Sequence, residues 1–504
     1  MKKPFYLTTP LYYVNAAPHI GHSYTNIAAD CLARYHRLKG EEVFFLTGTD
    51  EHGEKIARAA KQSGASPQEF VNRNSEKFKA LWKKLNISYD FFIRTTDPSH
   101  KEIVQRALSA LRPNLVEGTF SSWYCVPCET SFGTSEVDPS QPLCLNCKRP
   151  LEQVEEIDFS LHLEDHRGWL KDYMLHHEEF ILPPERRNEM LALLENELPD
   201  LCITRPRERV EWGIAVPFSE DHVTYVWFDA LLNYISALGW PQGERFHRYW
   251  EEAGAVHIVG KDILRHHAIY WPITLHGLGL PLPKTIFAHG WWKVGEEKMS
   301  KSKGNVVDPL EMVVKYGVDP YRYFLLREVP FGGDGVFSEE ALVTRLNNDL
   351  ANDLGNLVYR TLTMMEKYFE GKVPEARGTG ELKAEGLLKT VDAKMERMQF
   401  DGALVAVWGL IRRANQFIEE KAPWKIAKAK ETKALSSVLH ELLETLKAVS
   451  LFIYPFIPET AERIWNQVGI PKKISESTFE DLGRPLVEIG TEIRKGDILY
   501  QKVE

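Results

Sequence analysis

No apolar run in this chain of 504 residues approaches the ~18 residues that a membrane-spanning helix needs, which argues against a transmembrane protein and a membrane partner. No leader is expected either. Met1-Lys2-Lys3-Pro4 passes straight into strand-like residues, with neither an apolar h-region nor an Arg/Ser-rich stretch, so a cytoplasmic location is expected. Positive charge is not in excess: 62 Lys and Arg stand against 71 Asp and Glu, a net charge of -9. That excludes a uniformly basic protein but not a local phosphate-binding patch. Cysteine is scarce, six residues in all, which excludes a disulfide-built fold. Internal repeats and low-complexity segments are absent too.

What remains is ordinary globular material, 43% hydrophobic and 26% charged, in a chain longer than one hydrophobic core usually supports. Phe5 to Thr9 is a short β-prone run, a Pro/Asn/Ala turn follows, and His19 to Leu38 has helical periodicity. Val43 to Thr47 reads as a buried strand ending in Gly48-Thr49-Asp50-Glu51-His52-Gly53. Val256 to Gly260 and Ile286 to Gly290 resume the pattern after a turn-rich interruption. Strand–helix–strand alternation implies a parallel sheet with right-handed crossovers, and ligands in such sheets sit beyond the carboxyl ends of the strands. Past residue 350 the apolar spacing turns helical (Leu404, Val407, Ile411; Leu435, Leu439, Leu442, Leu446), which predicts an α-helical bundle, with 374–386 as a connecting loop.

Three groups of residues carry chemistry. His19-Ile20-Gly21-His22 puts two imidazoles at a turn running into a helix, whose N-terminal amides attract anions, and Gly21 lets a nucleotide approach the backbone. Lys298-Met299-Ser300-Lys301-Ser302 puts cations on a loop that can close over a triphosphate and meet the charge of departing pyrophosphate, which asks for positioning and electrostatics and no enzyme nucleophile. Cys125-x2-Cys128 and Cys144-x2-Cys147, fifteen residues apart, have the spacing of tetrahedral zinc; four thiolates close the coordination sphere, so one Zn2+ in a structural role is expected.

With these, Thr8 to Asn15, Gly48 to Gly53, Val226-Trp227-Phe228-Asp229-Ala230, Gly260-Lys261-Asp262-Ile263 and Ala422-Pro423-Trp424 resemble the methionyl-tRNA synthetase family of class I aminoacyl-tRNA synthetases, over essentially the whole chain. The resemblance implies ATP-dependent activation of methionine and its transfer to the 3′ end of methionine tRNA, initiator and elongator. It implies His19, His22, Lys298 and Lys301 as catalytic groups. Gly21, Gly260, Lys261, Asp262, Met299 and Ser300 would join them around ATP, with Mg2+ carried on the triphosphate. Asp50 would bind the methionine ammonium. Leu11, Tyr13, Trp227, Ala230, Tyr234, Ile263 and His267 would line the pocket, with Trp271 a mobile aromatic at its back. A thioether packs well on aromatic edges, and Tyr13 and His267 would offer it a hydrogen bond. Asn356, Arg360 and Trp424 would read the anticodon, Trp424 by stacking, beside a basic patch at Lys421, Lys425, Lys428, Lys430 and Lys433.

The expected architecture is a split Rossmann-like α/β catalytic domain (1–114 and 223–330), an inserted connective domain with the knuckle near the tRNA acceptor end (115–222), a stem-contact segment (331–350) and an anticodon-binding bundle (351–504). The C-terminal dimerising module of longer relatives is not seen, so a monomer is expected. A synthetase for another amino acid is the nearest alternative. The valine, isoleucine and leucine enzymes carry far larger inserts, and the cysteine enzyme places zinc in its amino-acid pocket.

Overall fold

The computed structural model describes residues 2–126, 128–133, 136–145, 147–294, 297–298, 307–382, 384–484 and 489–503. Of Ser131, Val294, Glu297, Lys298 and Glu385 it describes the backbone alone. Strand Pro4–Thr8 lies at the centre of an all-parallel sheet, flanked by Glu42–Asp50 on one side and Ala255–Gly260 on the other. Phe91–Arg94 continues outward from Glu42–Asp50, and Thr285–His289 then Ile181–Leu182 continue outward from Ala255–Gly260. The chain therefore spreads one way in its first part and the other way in its second. The direction reverses between the ends of Pro4–Thr8 and Ala255–Gly260, where a crevice for a ligand forms. These strands are buried on both faces, which is why Phe44-Phe45-Leu46 and Val256-His257-Ile258-Val259 are near-continuous in burial.

Helix Ile20–Leu38 follows the first strand and buries Tyr24, Ile27, Ala28, Cys31, Leu32 and Tyr35. One sheet face and this helix share a single core with Phe324, Leu350, Leu404, Trp408, Leu439, Leu446 and Trp465, so the bundle is packed into the sheet domain. The other face holds a second core, built on Phe228, Tyr234, Trp250, Trp271 and Ile286. A third, small one comprises Cys125, Phe132, Val137, Cys144 and Leu151. No helix among the described residues is long and apolar enough to cross a membrane.

Two stretches differ from expectation. The turn-rich reading of the insert gives way to a long antiparallel ribbon, Leu115–Cys125 on Glu152–Leu161, with Thr130–Phe132 and Leu201–Cys202 at its flanks. Its middle is solvated on both faces, so Glu117, Thr119, Ser121 and Glu155 replace the alternating apolar residues that mark a half-buried strand. Residues 163–194 do not belong to this ribbon. Their helices Glu164–His176 and Pro184–Leu193 bury Leu170, Met174 and Met190 in the second core, and Ile181 pairs with Ile286 at the edge of the parallel sheet. In the same way no break separates 350 from 351. Glu339–Arg345, the wide-turn stretch Leu346–Gly355 and Asn356–Phe369 follow one another without interruption as a continuous helical rod.

Candidate active site

His19 is the N-cap of helix Ile20–Leu38, with extended backbone. Its Nδ1 accepts the Gly21 N–H at 3.1 Å, and its own N–H donates to Nδ1 of His22 at 3.1 Å, a reciprocal capping pair that satisfies two orphan amides. With Nδ1 of each ring accepting, the neutral proton of each sits on Nε2. The rings stack at 3.8 Å between centroids, and Tyr12 meets His22 edge-on at 5.0 Å while accepting a hydrogen bond from Asn26. A β-carbon on Gly21 would lie 3.0 Å from the His19 ring, so this glycine makes room first for the imidazole. The cap thus presents two Nε2–H donors and a helix N-terminus at the crevice.

Across the crevice, Gly260 precedes a single turn, Lys261–Ile263. A β-carbon there would lie 2.6 Å from the Asp262 carboxylate. Lys261 donates to Asp334 at 2.7 Å and its ammonium lies 4.2 Å from the Trp291 ring centroid. Asp334 also pairs with Lys293 and accepts the Trp291 N–H, which together hold its carboxyl far below the usual range against the opposing effect of burial. Backbone pairing of Lys293 with Lys298 puts the start of the lysine loop in the same hairpin. Met299, Ser300 and Lys301 lie outside the described residues.

Asp50 ends strand Glu42–Asp50 and is buried, and its Oδ1 has no hydrogen-bond partner. Burial, then the neighbouring Asp229, Glu129 and Glu51, raise its pKa well above the carboxylate range. Nε1 of Trp227 is likewise buried without a partner, the Tyr13 hydroxyl lies beside the Glu129 carboxyl without a well-aligned hydrogen bond, and Trp227 stacks on His266 at 3.8 Å. An uncompensated carboxylate among orphaned donors is costly unless a cation arrives to meet it. Deeper in, Nδ1 of His267 donates to the Ile263 carbonyl at 3.0 Å and Nε2 accepts the Tyr234 hydroxyl at 2.7 Å. Burial lowers its pKa to about 4, so the ring is neutral. Both nitrogens are engaged, which leaves His267 no hydrogen for a thioether. Trp271 is fully buried and donates to Nε2 of His257, whose Nδ1 contacts Thr8 at 2.7 Å, so it sits here as a pinned core residue. Ala230 is buried, and Leu11 and Ile263 pack against the same core.

Asp229 went unassigned in the sequence. It is buried between His52 and His100, each at 2.7 Å, and these partners pull its pKa down against burial. Glu129, next to Cys128, also escaped notice, as did Asp334. Nothing in their spacing marks them, because each acts through a contact distant in sequence.

The four cysteine sulfurs lie within 4.8 Å of one another, with Cys125–Cys147 at 3.6 Å and Cys128–Cys144 at 3.9 Å. Tetrahedral Zn–S bonds imply sulfurs ~3.8 Å apart, so the donor set fits such an ion. In the bundle, Asn356 is exposed, and Arg360 pairs with Glu419 at 2.6 Å, near the end of helix Phe400–Lys421. Trp424 is 41% exposed just beyond that helix, so it is no core anchor.

A sheet that reverses at the strand leading into His19 and His22, together with a helical bundle sharing its core, defines a class I aminoacyl-tRNA synthetase. The family model for class I tRNA synthetases (M) matches residues 5–362, and that for the anticodon-binding domain of tRNA ligases matches 382–500. The methionine–tRNA ligase of Caldanaerobacter subterraneus subsp. tengcongensis is 47% identical over all of this chain and 80% of its own length. That of Thermotoga maritima is 44% identical over 99% of the chain and 80% of its own length. The methionyl-tRNA synthetase of Mycobacterium tuberculosis in complex with methionyl-adenylate superposes with a TM-score of 0.94, at 39% identity, over 99% of both chains. Its ligand-free form, 36% identical over 100% of this chain and 99% of its own, superposes with a TM-score of 0.87. The chain belongs to the methionyl-tRNA synthetase family: it activates methionine with ATP and charges tRNA.

Proposed function

We propose that Asp50 receives the α-ammonium of methionine, and the observation that carries this is its buried, unpartnered Oδ1. Leu11, Trp227, Ala230, Tyr234, Ile263 and His267 line the pocket for the side chain, and Trp271 backs it. Selection of the thioether then rests on packing against aromatic edges, since the His267 protons are committed elsewhere. Nε2–H of His19 and His22 donates to phosphate oxygens, the amide of Gly21 lies at the same helix end, and Gly260 and Asp262 shape the opposite wall. Lys261 leaves Asp334 for the triphosphate. Lys298, Met299, Ser300 and Lys301 close over the pyrophosphate, which leaves as the methionine carboxylate attacks the α-phosphorus. Mg2+ travels with ATP, because the only metal-competent cluster among the described residues is the four cysteines. Those cysteines hold one Zn2+, which braces the ribbon and supplies no chemistry to the reaction.

Asn356 and Arg360 meet base edges of the methionine tRNA anticodon, initiator and elongator, while Trp424 stacks on a splayed base and the neighbouring lysines neutralise phosphates. No disulfide joins the described cysteines, as a thiolate donor set for zinc requires. The test is amino-acid-dependent ATP–pyrophosphate exchange. Methionine drives it, Asp50→Asn abolishes it while ATP still binds, and exchange driven by another amino acid instead refutes the reading. Trp424→Ala keeps exchange and loses tRNA charging; equal loss of both refutes the anticodon role.

A further inference from the structure

Glu129 is where the cysteine knuckle reaches the amino-acid pocket. It follows Cys128 directly, and its backbone is left-handed, φ 47°, a conformation residues with a β-carbon seldom adopt. Its side chain is 1% exposed. Oε1 accepts the Lys55 N–H at 3.1 Å. A β-carbon on Gly53, itself at φ 101°, would lie 2.5 Å from that oxygen, so glycine at 53 is what admits the carboxylate. The Glu129 carbonyl accepts the Tyr225 hydroxyl at 2.6 Å, which ties the knuckle to the turn preceding helix Val226–Leu231. Oε2 is buried without a well-aligned hydrogen bond, as are Oδ1 of Asp50 and the Tyr13 hydroxyl, which lies beside the Glu129 carboxyl. Glu129 lies close enough to both for its charge to bear on them. A resident cation, Lys55, sits 5.0 Å from the Tyr13 ring centroid. A strained backbone that delivers a second buried carboxylate beside an unsatisfied first one points to a cationic ligand with more than one hydrogen to give.

We propose that Glu129 is a second acceptor for the α-ammonium of methionine, carried into the pocket by the cysteine knuckle and acting opposite Asp50. This rests on the reading of Asp50 above. An ammonium has three donors, Asp50 supplies one acceptor and Glu129 another, and the pair fixes the orientation in which the methionine carboxylate faces ATP.

Glu129→Gln keeps an acceptor for the Lys55 amide and removes only the charge. Methionine and methioninol, which keeps the ammonium and lacks the carboxylate, are titrated by intrinsic tryptophan fluorescence, with KM for ATP from exchange and metal content from elemental analysis. We expect Glu129→Gln to weaken both ligands about tenfold, with KM for ATP and metal content unchanged, and Glu129→Asp to recover part of the loss. Methionine binding weakened by no more than about twofold, parallel losses for methionine and ATP, or loss of the metal would each overturn the proposal. If Asp50→Asn is impaired and Glu129→Gln is not, only the role of Glu129 fails; if neither variant is impaired, the assignment of the ammonium to Asp50 fails with it.

Discussion

Asp50 carries the conflict between stability and function on one side chain. Its ionised form is disfavoured first by burial and then by the charges of Asp229, Glu129 and Glu51, so the folded state without methionine holds a proton more readily than the unfolded chain. A carboxyl raised on folding stabilises only below its unfolded pKa, and that contribution is lost as pH rises through the folded value. At neutral pH the ionised group therefore costs stability, and Asp50→Asn should raise the melting temperature of the ligand-free enzyme by roughly 1–2 °C while removing methionine binding. The ammonium favours the ionised form, so methionine affinity in the native protein should fall as pH drops through the raised pKa, and this dependence should disappear in Asp50→Asn. A variant that is destabilised, or a pH profile unchanged by the substitution, would place the origin of the dependence elsewhere. His267 adds no slope to methionine affinity near neutrality, since burial has already lowered it to about 4 in the native protein.

At the level of elements, the knuckle has an apolar core of its own and meets the rest of the fold through polar contacts of Glu129 and Glu136. Its core is Cys125, Phe132, Val137, Cys144 and Leu151, joined to neither large core, so the sulfur cluster is its main source of order. Stripping the metal with a chelator, or Cys144→Ser, should leave the main melting transition and the far-ultraviolet dichroism nearly unchanged while making 125–151 the first site of proteolysis. Collapse of the whole fold would contradict that separation. The strands of the parallel sheet and the capped helix were legible in the sequence because burial imposes a pattern on them: continuous apolar runs in the strands, a helical period beginning at His19. The ribbon Leu115–Cys125 was not, because solvent on both faces imposes no pattern. The continuity of the rod Glu339–Phe369 was not legible either, because Asn347, Asn348, Asp349, Asn352 and Asp353 interrupt the apolar spacing, although Leu346, Leu350 and Leu354 face the core. At the site, the capped turn at His19 and His22 and the close set of four cysteines were legible as local patterns, whereas the role of Asp50 came only with the family resemblance. Glu129 was not legible, since its place depends on a left-handed backbone and on a glycine distant in sequence.

Across the whole molecule, the helix that starts at His19 is fastened to the bundle by Arg322, which is fully buried on helix Val318–Arg327. Its guanidinium donates to Asp30 at 2.7 Å, to the Phe456 and Pro455 carbonyls at 2.8 and 3.1 Å, and to the Leu85 carbonyl at 3.2 Å. Burial opposes ionisation of Asp30, yet Arg34 and Arg322 hold its pKa at about 2, so the charge persists at neutral pH. Arg34 in turn donates to Tyr454, Tyr35 to Asp392, and Ser23 bonds Tyr321 at 2.7 Å, so the helix that starts at His19 is held at several points along its length. Since a single core also crosses this boundary, bundle and sheet should melt together in one calorimetric transition rather than in two. Arg322→Met keeps most of the volume but strands three carbonyls and leaves Asp30 to Arg34 and Ser88, a loss on the order of 3 kcal/mol. The expected calorimetric result for that variant is a lower melting temperature with the transition broadened or split, while methionine-driven exchange persists below the melt. Two separate transitions in the unmodified protein would show that the shared core does not couple the parts; a single one that Arg322→Met leaves in place would assign the coupling to apolar packing instead of to the buried guanidinium.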